Sequence, residues 1–274
     1  MNIVIIGCGY LGLETASIWK KSKHHVTATT RNPEKLDALS KVAQKTIILK
    51  GNDEDELAPL IAHNEVILVT IAADNPEHYE SAYLNTAQLF RHLALEMDLP
   101  RQLIYTSSTS VYGDHHGQWV DETSELFGKS DQAKILIEAE NLYLSLQELG
   151  WDICLLRLSE IYGPGRELST RVKQMEGHIL PGPGDPYTNM IHKQDCASAI
   201  DYALRHDLEG IFNLSDDDHP TRKELYDAVS KKFHLPKVKW DPNHTALHSG
   251  NKRVSNHKIK AAGFALRHPH RVLD

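Results

Sequence analysis

Little in this sequence points to a membrane, an oxidising compartment or a polyanionic partner. Its longest nearly apolar run, Val66 to Ala73, is broken by Thr70, whereas a spanning helix needs about 20 apolar residues. Directly behind Met1 come Ile3 to Ile6 and a glycine turn, with none of the basic and long apolar regions of a signal peptide. Only three cysteines occur, Cys8, Cys154 and Cys196. An odd number set far apart suits reduced thiols in the cytoplasm better than a disulfide framework. Positive charge is in deficit, 30 Lys+Arg against 37 Asp+Glu for a net charge of -7, so no global field draws in nucleic acid or anionic lipid. Metal-ligand spacing is also missing. Among 17 histidines the pairs His24-His25 and His115-His116 stand out, but there is no HExxH and no CxxC, so no metal is expected.

What is present is ordinary globular composition, 41% hydrophobic and 24% charged over 274 residues, and a clear rhythm. Short apolar bursts alternate with helix-period stretches, the pattern of β-α-β units. The spacing predicts strands at Ile3 to Ile6, His25 to Thr29, Thr46 to Leu49, Val66 to Ile71, Gln102 to Ser107 and Ile153 to Leu158. Helices are expected over Leu11 to Lys21, from Pro33, over Glu77 to Met97 and over Lys129 to Leu149. This is an α/β chain of the Rossmann type, a doubly wound parallel sheet with a small C-terminal substrate lobe. Residues 1-162 form the expected dinucleotide-binding domain and 163-274 the lobe, with 193-214 (helix Gln194 to Arg205, strand Gly210 to Leu214) returning to the sheet.

Gly7-Cys8-Gly9-Tyr10-Leu11-Gly12 is a G-x-G-x-x-G directly after a strand and at the mouth of a helix. There Gly7 makes the turn, Gly9 lets the backbone approach a pyrophosphate, and Gly12 lets helix and strand pack closely, while the helix N-terminus with Tyr10 and Leu11 offers N-H groups. An acidic residue is expected at the end of the second strand to grip a ribose 2'-hydroxyl. Instead positions 28 to 32 read Ala-Thr-Thr-Arg-Asn. Arg31, with the Thr29 and Thr30 hydroxyls and Lys35 nearby, suits a 2'-phosphate, so NADP is preferred over NAD. Asn52, Asp53, Ala72 and Thr106, at or beyond the carboxyl ends of later strands, are further candidate cofactor contacts.

The run Leu103-Ile-Tyr-Thr-Ser-Ser108-Thr-Ser-Val-Tyr112-Gly113 resembles the extended short-chain dehydrogenase/reductase family, the NAD-dependent epimerases and dehydratases. The likeness continues through Asn85-Thr86, Glu122, Arg157-Leu158, Ile161-Tyr-Gly-Pro-Gly165, Ile191-His-Lys-Gln-Asp195 and Phe212-Asn-Leu214. The family's glycines are usually spaced G-x-x-G-x-x-G, whereas position 6 here is Ile6. The resemblance implies that Ser108 hydrogen-bonds the reacting oxygen. It also implies a tyrosine with a lysine four residues on, the lysine binding the nicotinamide ribose and depressing the phenol pKa. None of the ten tyrosines has that lysine. Lys134 aligns with the family lysine and Ser130 with the tyrosine, and a serine hydroxyl is far too weak an acid to replace a phenol unaided. This pattern is similar to an atypical branch, the YeeZ-like group of bacterial proteins.

Tyr112 is one candidate for the missing acid/base, with Glu160, Glu122 and His192 as others bordering the cleft. Each also has a packing role open to it. Tyr112 and Tyr162 pack structurally in this fold, His192 and Asp195 tie the lobe down, and Glu122 orients a loop. Arg166, Arg171, Lys173, Lys252 and Arg253 are either a clamp for a phosphate-bearing substrate such as a nucleotide sugar or a solvated basic surface. Two functions therefore stand at this point: an NADP-dependent oxidoreductase or epimerase on a nucleotide-linked or phosphorylated small molecule, and a non-catalytic dinucleotide sensor. Apolar residues on more than one face of the helices Glu77 to Met97 and Lys129 to Leu149 point to a homodimer, a pairing common in the family.

Overall fold

Ile3 to Ile6 are all buried in the computed structural model of the chain, which describes residues 1–49, 53–96, 101–244 and 250–274. A strand buried on both faces needs helices on each side of its sheet, and the chain supplies them by alternation. It runs β1 (Asn2–Ile6), α1 (Tyr10–Lys21), β2 (His25–Thr30), α2 (Leu36–Val42), β3 (Lys45–Ile48), α3 (Glu54–Ala62), β4 (Val66–Val69), α4 (Asn85–Leu95) and β5 (Gln102–Ser108). Next come β6 (Trp119–Val120), α5 (Asp131–Leu144), β7 (Asp152–Leu158), β8 (Glu160–Tyr162), α6 (Leu168–Gln174), β9 (Ile179–Pro181), β10 (Met190–His192) and α7 (Lys193–Arg205). The chain closes with β11 (Gly210–Leu214), α8 (Arg222–Phe233), β12 (Lys239–Asp241), β13 (Arg253–Val254) and α9 (His257–Ala261).

The central parallel sheet has seven strands in the order β11-β7-β5-β4-β1-β2-β3. The strand order reverses between β1 and β4, which pair in parallel from Ile3↔Val66 to Ile6↔Val69. In a doubly wound sheet this reversal opens the crevice in which ligands bind. The sequence foresaw the alternation but not α3, whose first turn Glu54, Asp55, Glu56 is capped by Asp53 and which continues through Pro59. Leu57, Leu60 and Ile61 of α3 join Val4, Ile67, Phe90, Leu103, Tyr143 and Leu155 in one core cluster. The single long helix expected from Glu77 is instead a 3-10 turn (Pro76–His78), a π turn (Glu80–Leu84) and then α4.

Two compact units result: 1–108, 130–157 and 197–212 in the first, and 109–129, 158–196 and 213–274 in the second. The second therefore takes in 109–129 and 158–162, which the sequence assigns to the sheet domain. Its own pairings explain this. β6 runs parallel with β13 (Trp119↔Arg253, Val120↔Val254), and the His115 and Gly117 amides both donate to the Asn251 carbonyl, at 3.0 and 2.9 Å. The second unit has a separate core of Tyr162, Leu168, Met190, Leu225 and Val229. Among the described residues no helix is long and apolar enough to cross a membrane.

Candidate functional site

The turn from β1 into α1 contains glycines required for two different reasons. Gly7 has φ +81°, and a Cβ there would stand 2.8 Å from the Ile71 Cα, while a Cβ on Gly12 would meet Cys8 Sγ and Thr70 Cγ2 at 3.2 Å. The fold itself therefore requires both. A Cβ on Gly9 would meet nothing nearer than the Gly7 carbonyl at 3.9 Å. Gly9 thus leaves open space over the N-terminus of α1, a helix with no side-chain cap and no acid in its first turn. A helix N-terminus without a side-chain cap, beneath a glycine whose Cβ would meet only the Gly7 carbonyl at 3.9 Å, fits a pyrophosphate. Ile6, where the family has a further glycine, ends β1 in the core. Burial pushes the Cys8 thiol up to about 12 against the opposing charge of Lys35. Burial thus favours the neutral thiol, and the Lys35 charge acts at this turn.

At the end of β2, Thr29 supports the glycine turn: its carbonyl accepts the Cys8 amide at 2.7 Å and its Oγ1 the Gly7 amide at 3.0 Å. Thr30 Oγ1 accepts the Asn32 amide at 3.2 Å. Both hydroxyls are thus engaged on backbone, which leaves Arg31 and Lys35 as the cations of this corner. Arg31 Nη2 lies 3.5 Å from Asp74 Oδ2, with both side chains well exposed. The Asp74 carboxyl is held below its ordinary range, chiefly by its hydrogen bond with His78, with the Arg31 charge adding to the effect. Asp53 Oδ1 accepts the Glu56 amide at 3.3 Å as the α3 cap, Thr106 Oγ1 donates to the Val69 carbonyl at 3.3 Å, and Ala72 is exposed just beyond β4. Asn52 lies outside the described residues.

At the end of β5 successive side chains alternate in direction. Ser107 turns inward, its hydroxyl donating to Glu140 Oε1 at 2.6 Å, while Ser108, half-buried, ends the strand. Arg157 Nη2 donates to Glu140 Oε2 at 2.7 Å, so this buried pair ties α5, β5 and β7 together. The sequence reading missed Glu140. Its signal was a lone carboxylate on the face that also carries Leu136 and Tyr143, both buried. Ser130 is the N-cap of α5, its Oγ accepting the Ala133 amide at 3.1 Å. Lys134 Nζ reaches Asp131 Oδ1 at 3.4 Å, both side chains being largely exposed.

In the second unit the Tyr112 hydroxyl, fully buried, donates to Asn213 Oδ1 at 2.8 Å. Glu122 Oε1 accepts the Asn213 amide at 2.7 Å. Tyr112 and Glu122 thus both engage Asn213, one through its side-chain oxygen and the other through its amide. His192 Nδ1 accepts the Gln194 amide at 3.3 Å, and its ring lies 3.9 Å from that of His268. A Cβ on Gly163 would stand 2.8 Å from His192 Nε2. Asp195 accepts the Arg267 and His268 amides and His268 Nδ1 at 2.9 Å. His192, Asp195 and His268 converge within 4.8 Å, with the Asp195 oxygens engaged in these bonds. Among the basic candidates, Arg171 pairs with Glu160 at 2.6 Å and Arg253 lies over Trp119 and Tyr187. Arg166 is exposed in the turn closed by its amide on the Gly163 carbonyl at 2.7 Å.

The chain is similar to Protein YeeZ of Escherichia coli K12, 26% identical over 276 residues covering 98% of this chain and 96% of YeeZ. Its fold resembles that of UDP-glucose 4-epimerase from Thermotoga maritima, solved with UDP-glucose (TM-score 0.82, 16% identity, 97% of this chain and 94% of that one). It also resembles dTDP-glucose 4,6-dehydratase from Bacillus anthracis, solved with NAD (TM-score 0.80, 18% identity, 98% and 92%). Residues 3–215 match the NAD dependent epimerase/dehydratase family. With the parallel seven-stranded sheet and the glycine turn at its switch point, this places the chain in the NAD dependent epimerase/dehydratase family.

Proposed function

We propose that the protein binds NADP and acts as an oxidoreductase or epimerase on a hydroxyl or keto group of a nucleotide-linked or phosphorylated small molecule. The observation that carries this reading is the glycine turn, open above Gly9 at an uncapped helix N-terminus and flanked by Arg31 and Lys35 with no carboxylate at the end of β2. A guanidinium and an ammonium favour a dianionic 2'-phosphate over a bare ribose. The cofactor would supply hydride exchange. In this reading Ser108 holds the reacting oxygen, Lys134 leaves Asp131 for the nicotinamide ribose, and Arg166 binds substrate phosphate. Structural relatives solved with nucleotide sugars support that substrate class.

A second reading, a dinucleotide sensor without turnover, is favoured by one observation: Ser130 stands where the resemblance sets the acid/base, and its hydroxyl is used as a helix cap. Turnover of NADP+ and NADPH over a panel of nucleotide sugars and aldehydes separates the two. The oxidoreductase reading predicts activity that falls about 100-fold or more in Ser108→Ala. Nucleotide binding with no turnover of any substrate selects the sensor. We further propose a homodimer through α4 and α5, supported by the half-exposed apolar side chains Leu89, Leu142 and Leu144. Three free, buried cysteines suit a cytoplasmic location.

A further inference from the structure

The carboxylate that a second strand supplies to an NAD ribose is missing from the end of β2, yet the fold brings one to that corner from elsewhere. Asp74 follows β4, and its Oδ2 stands 3.5 Å from Arg31 Nη2. β2 and β4 flank β1 on opposite sides of the sheet and both run parallel to it, with adjacent strands about 4.7–4.9 Å apart. The ion pair therefore reaches across two strand spacings, past the carboxyl end of β1 where the chain enters the glycine turn. Arg31, Asp74 and that turn all belong to the first compact unit.

The two partners are not held alike. Asp74 is fixed by its own segment: His78 Nδ1 donates to Asp74 Oδ1 at 2.7 Å, the His78 amide donates to Asn75 Oδ1 at 3.0 Å, and the Ala73 amide donates to the Tyr83 hydroxyl at 3.4 Å. The His78 bond, with the Arg31 charge adding to it, holds the carboxyl below its ordinary range, so Asp74 is an anion at neutral pH. Arg31 follows β2 with its side chain 44% exposed, on a long stem rich in rotamers. The arginine is thus the partner that can turn. Glu34, the acid nearest to it in sequence, faces Asn32 Nδ2 at 3.5 Å.

A fixed carboxylate and an incoming 2'-phosphate would meet the same guanidinium. An exposed ion pair is weak, whereas a phosphate engages the guanidinium fork through two hydrogen bonds, so the phosphate wins. Its gain is reduced by the contact that Arg31 gives up. A bare 2'-hydroxyl makes no such demand on Arg31. We propose that Asp74 sets coenzyme selectivity through Arg31, as the resident counter-ion that a 2'-phosphate must displace, and that it narrows the preference for NADP over NAD. This rests on the reading above in which Arg31 takes the 2'-phosphate.

Fluorescence titration of the full chain with NADPH and NADH tests this in Asp74→Asn, which removes the charge at nearly constant shape, and in Asp74→Glu, which keeps it. Asp74→Asn is expected to bind NADPH about threefold or more tighter than wild type, the scale of an exposed ion pair, with NADH within about twofold. Asp74→Glu should stay within about twofold of wild type for both nucleotides. In an Arg31→Ala background, adding Asp74→Asn should move neither nucleotide by more than about twofold, since the carboxylate has no guanidinium left to withhold. A structural role for Asp74 would instead weaken both nucleotides alike. A smaller gain for NADPH in Asp74→Asn, an equal gain for NADH, or the same gain without Arg31 overturns the proposal, and a wild type that still prefers NADPH then leaves the Arg31 reading standing. A wild type with no preference for NADPH overturns both.

Discussion

At the scale of single residues the site is defined by where a side chain has room. Gly7 and Gly9 stand two residues apart, yet they should fail differently. Gly7→Ala forces a Cβ onto Ile71 at φ +81° and is expected to cost about 1–3 kcal/mol in urea unfolding and to abolish nucleotide binding. Gly9→Ala meets only the Gly7 carbonyl at an ordinary contact distance of 3.9 Å, so its unfolding midpoint should stay within about 0.5 kcal/mol of wild type while NADPH affinity falls about tenfold or more. Equal loss of stability in both would mean that Gly9 serves the fold and not a ligand. The positions of these glycines were legible because a strand, a spaced glycine set and a helix are all local features. Lys252, Glu140 and the committed hydroxyl of Tyr112 were not, because each depends on partners far along the chain: Gly113, Arg157 and Asn213. In the sequence Lys252 is indistinguishable from a solvated cation, and only burial separates it from Lys173.

At the scale of elements, strands read better than helices. Each expected strand lies within two residues of the observed one because consecutive apolar residues need burial on two faces. α3 escaped notice for the opposite reason: its acidic first turn and Pro59 look like loop chemistry, although an acidic start favours the helix dipole and only Leu57, Leu60 and Ile61 need face the core. The stretch before α4 opens with Asn75 capping a 3-10 turn, so apolar periodicity alone overstated one continuous helix. The same helices carry the association proposal. Leu89 and Leu142 pack on the core yet keep exposed edges, and the double variant Leu89→Asp, Leu142→Asp should sediment as a monomer where wild type sediments as a dimer. A wild type that is monomeric at micromolar concentration contradicts the pairing.

At the scale of the whole molecule the candidate residues fall into two compact units. The first contains every described candidate cofactor residue from Gly7 to Lys134, and the second contains Tyr112, Glu122, Arg166, His192 and Lys252. A domain boundary at 162 followed from the change of texture after Gly163. The sequence could not show that 109–129 is drawn away by pairing with Arg253 and Val254, since that contact spans more than a hundred residues. The central claim concerns the first unit alone: its corner between β1 and β2 holds an NADP-type dinucleotide, with Arg31 on the 2'-phosphate. The most direct measurement is fluorescence titration of wild type and Arg31→Ala with NADPH and NADH at one ionic strength. The account predicts NADPH tighter than NADH by about tenfold or more in wild type, the charge-assisted contribution of about 1.5–3 kcal/mol, and near-equal affinities in Arg31→Ala. Equal binding of the two nucleotides by wild type, or tighter NADH, would contradict it.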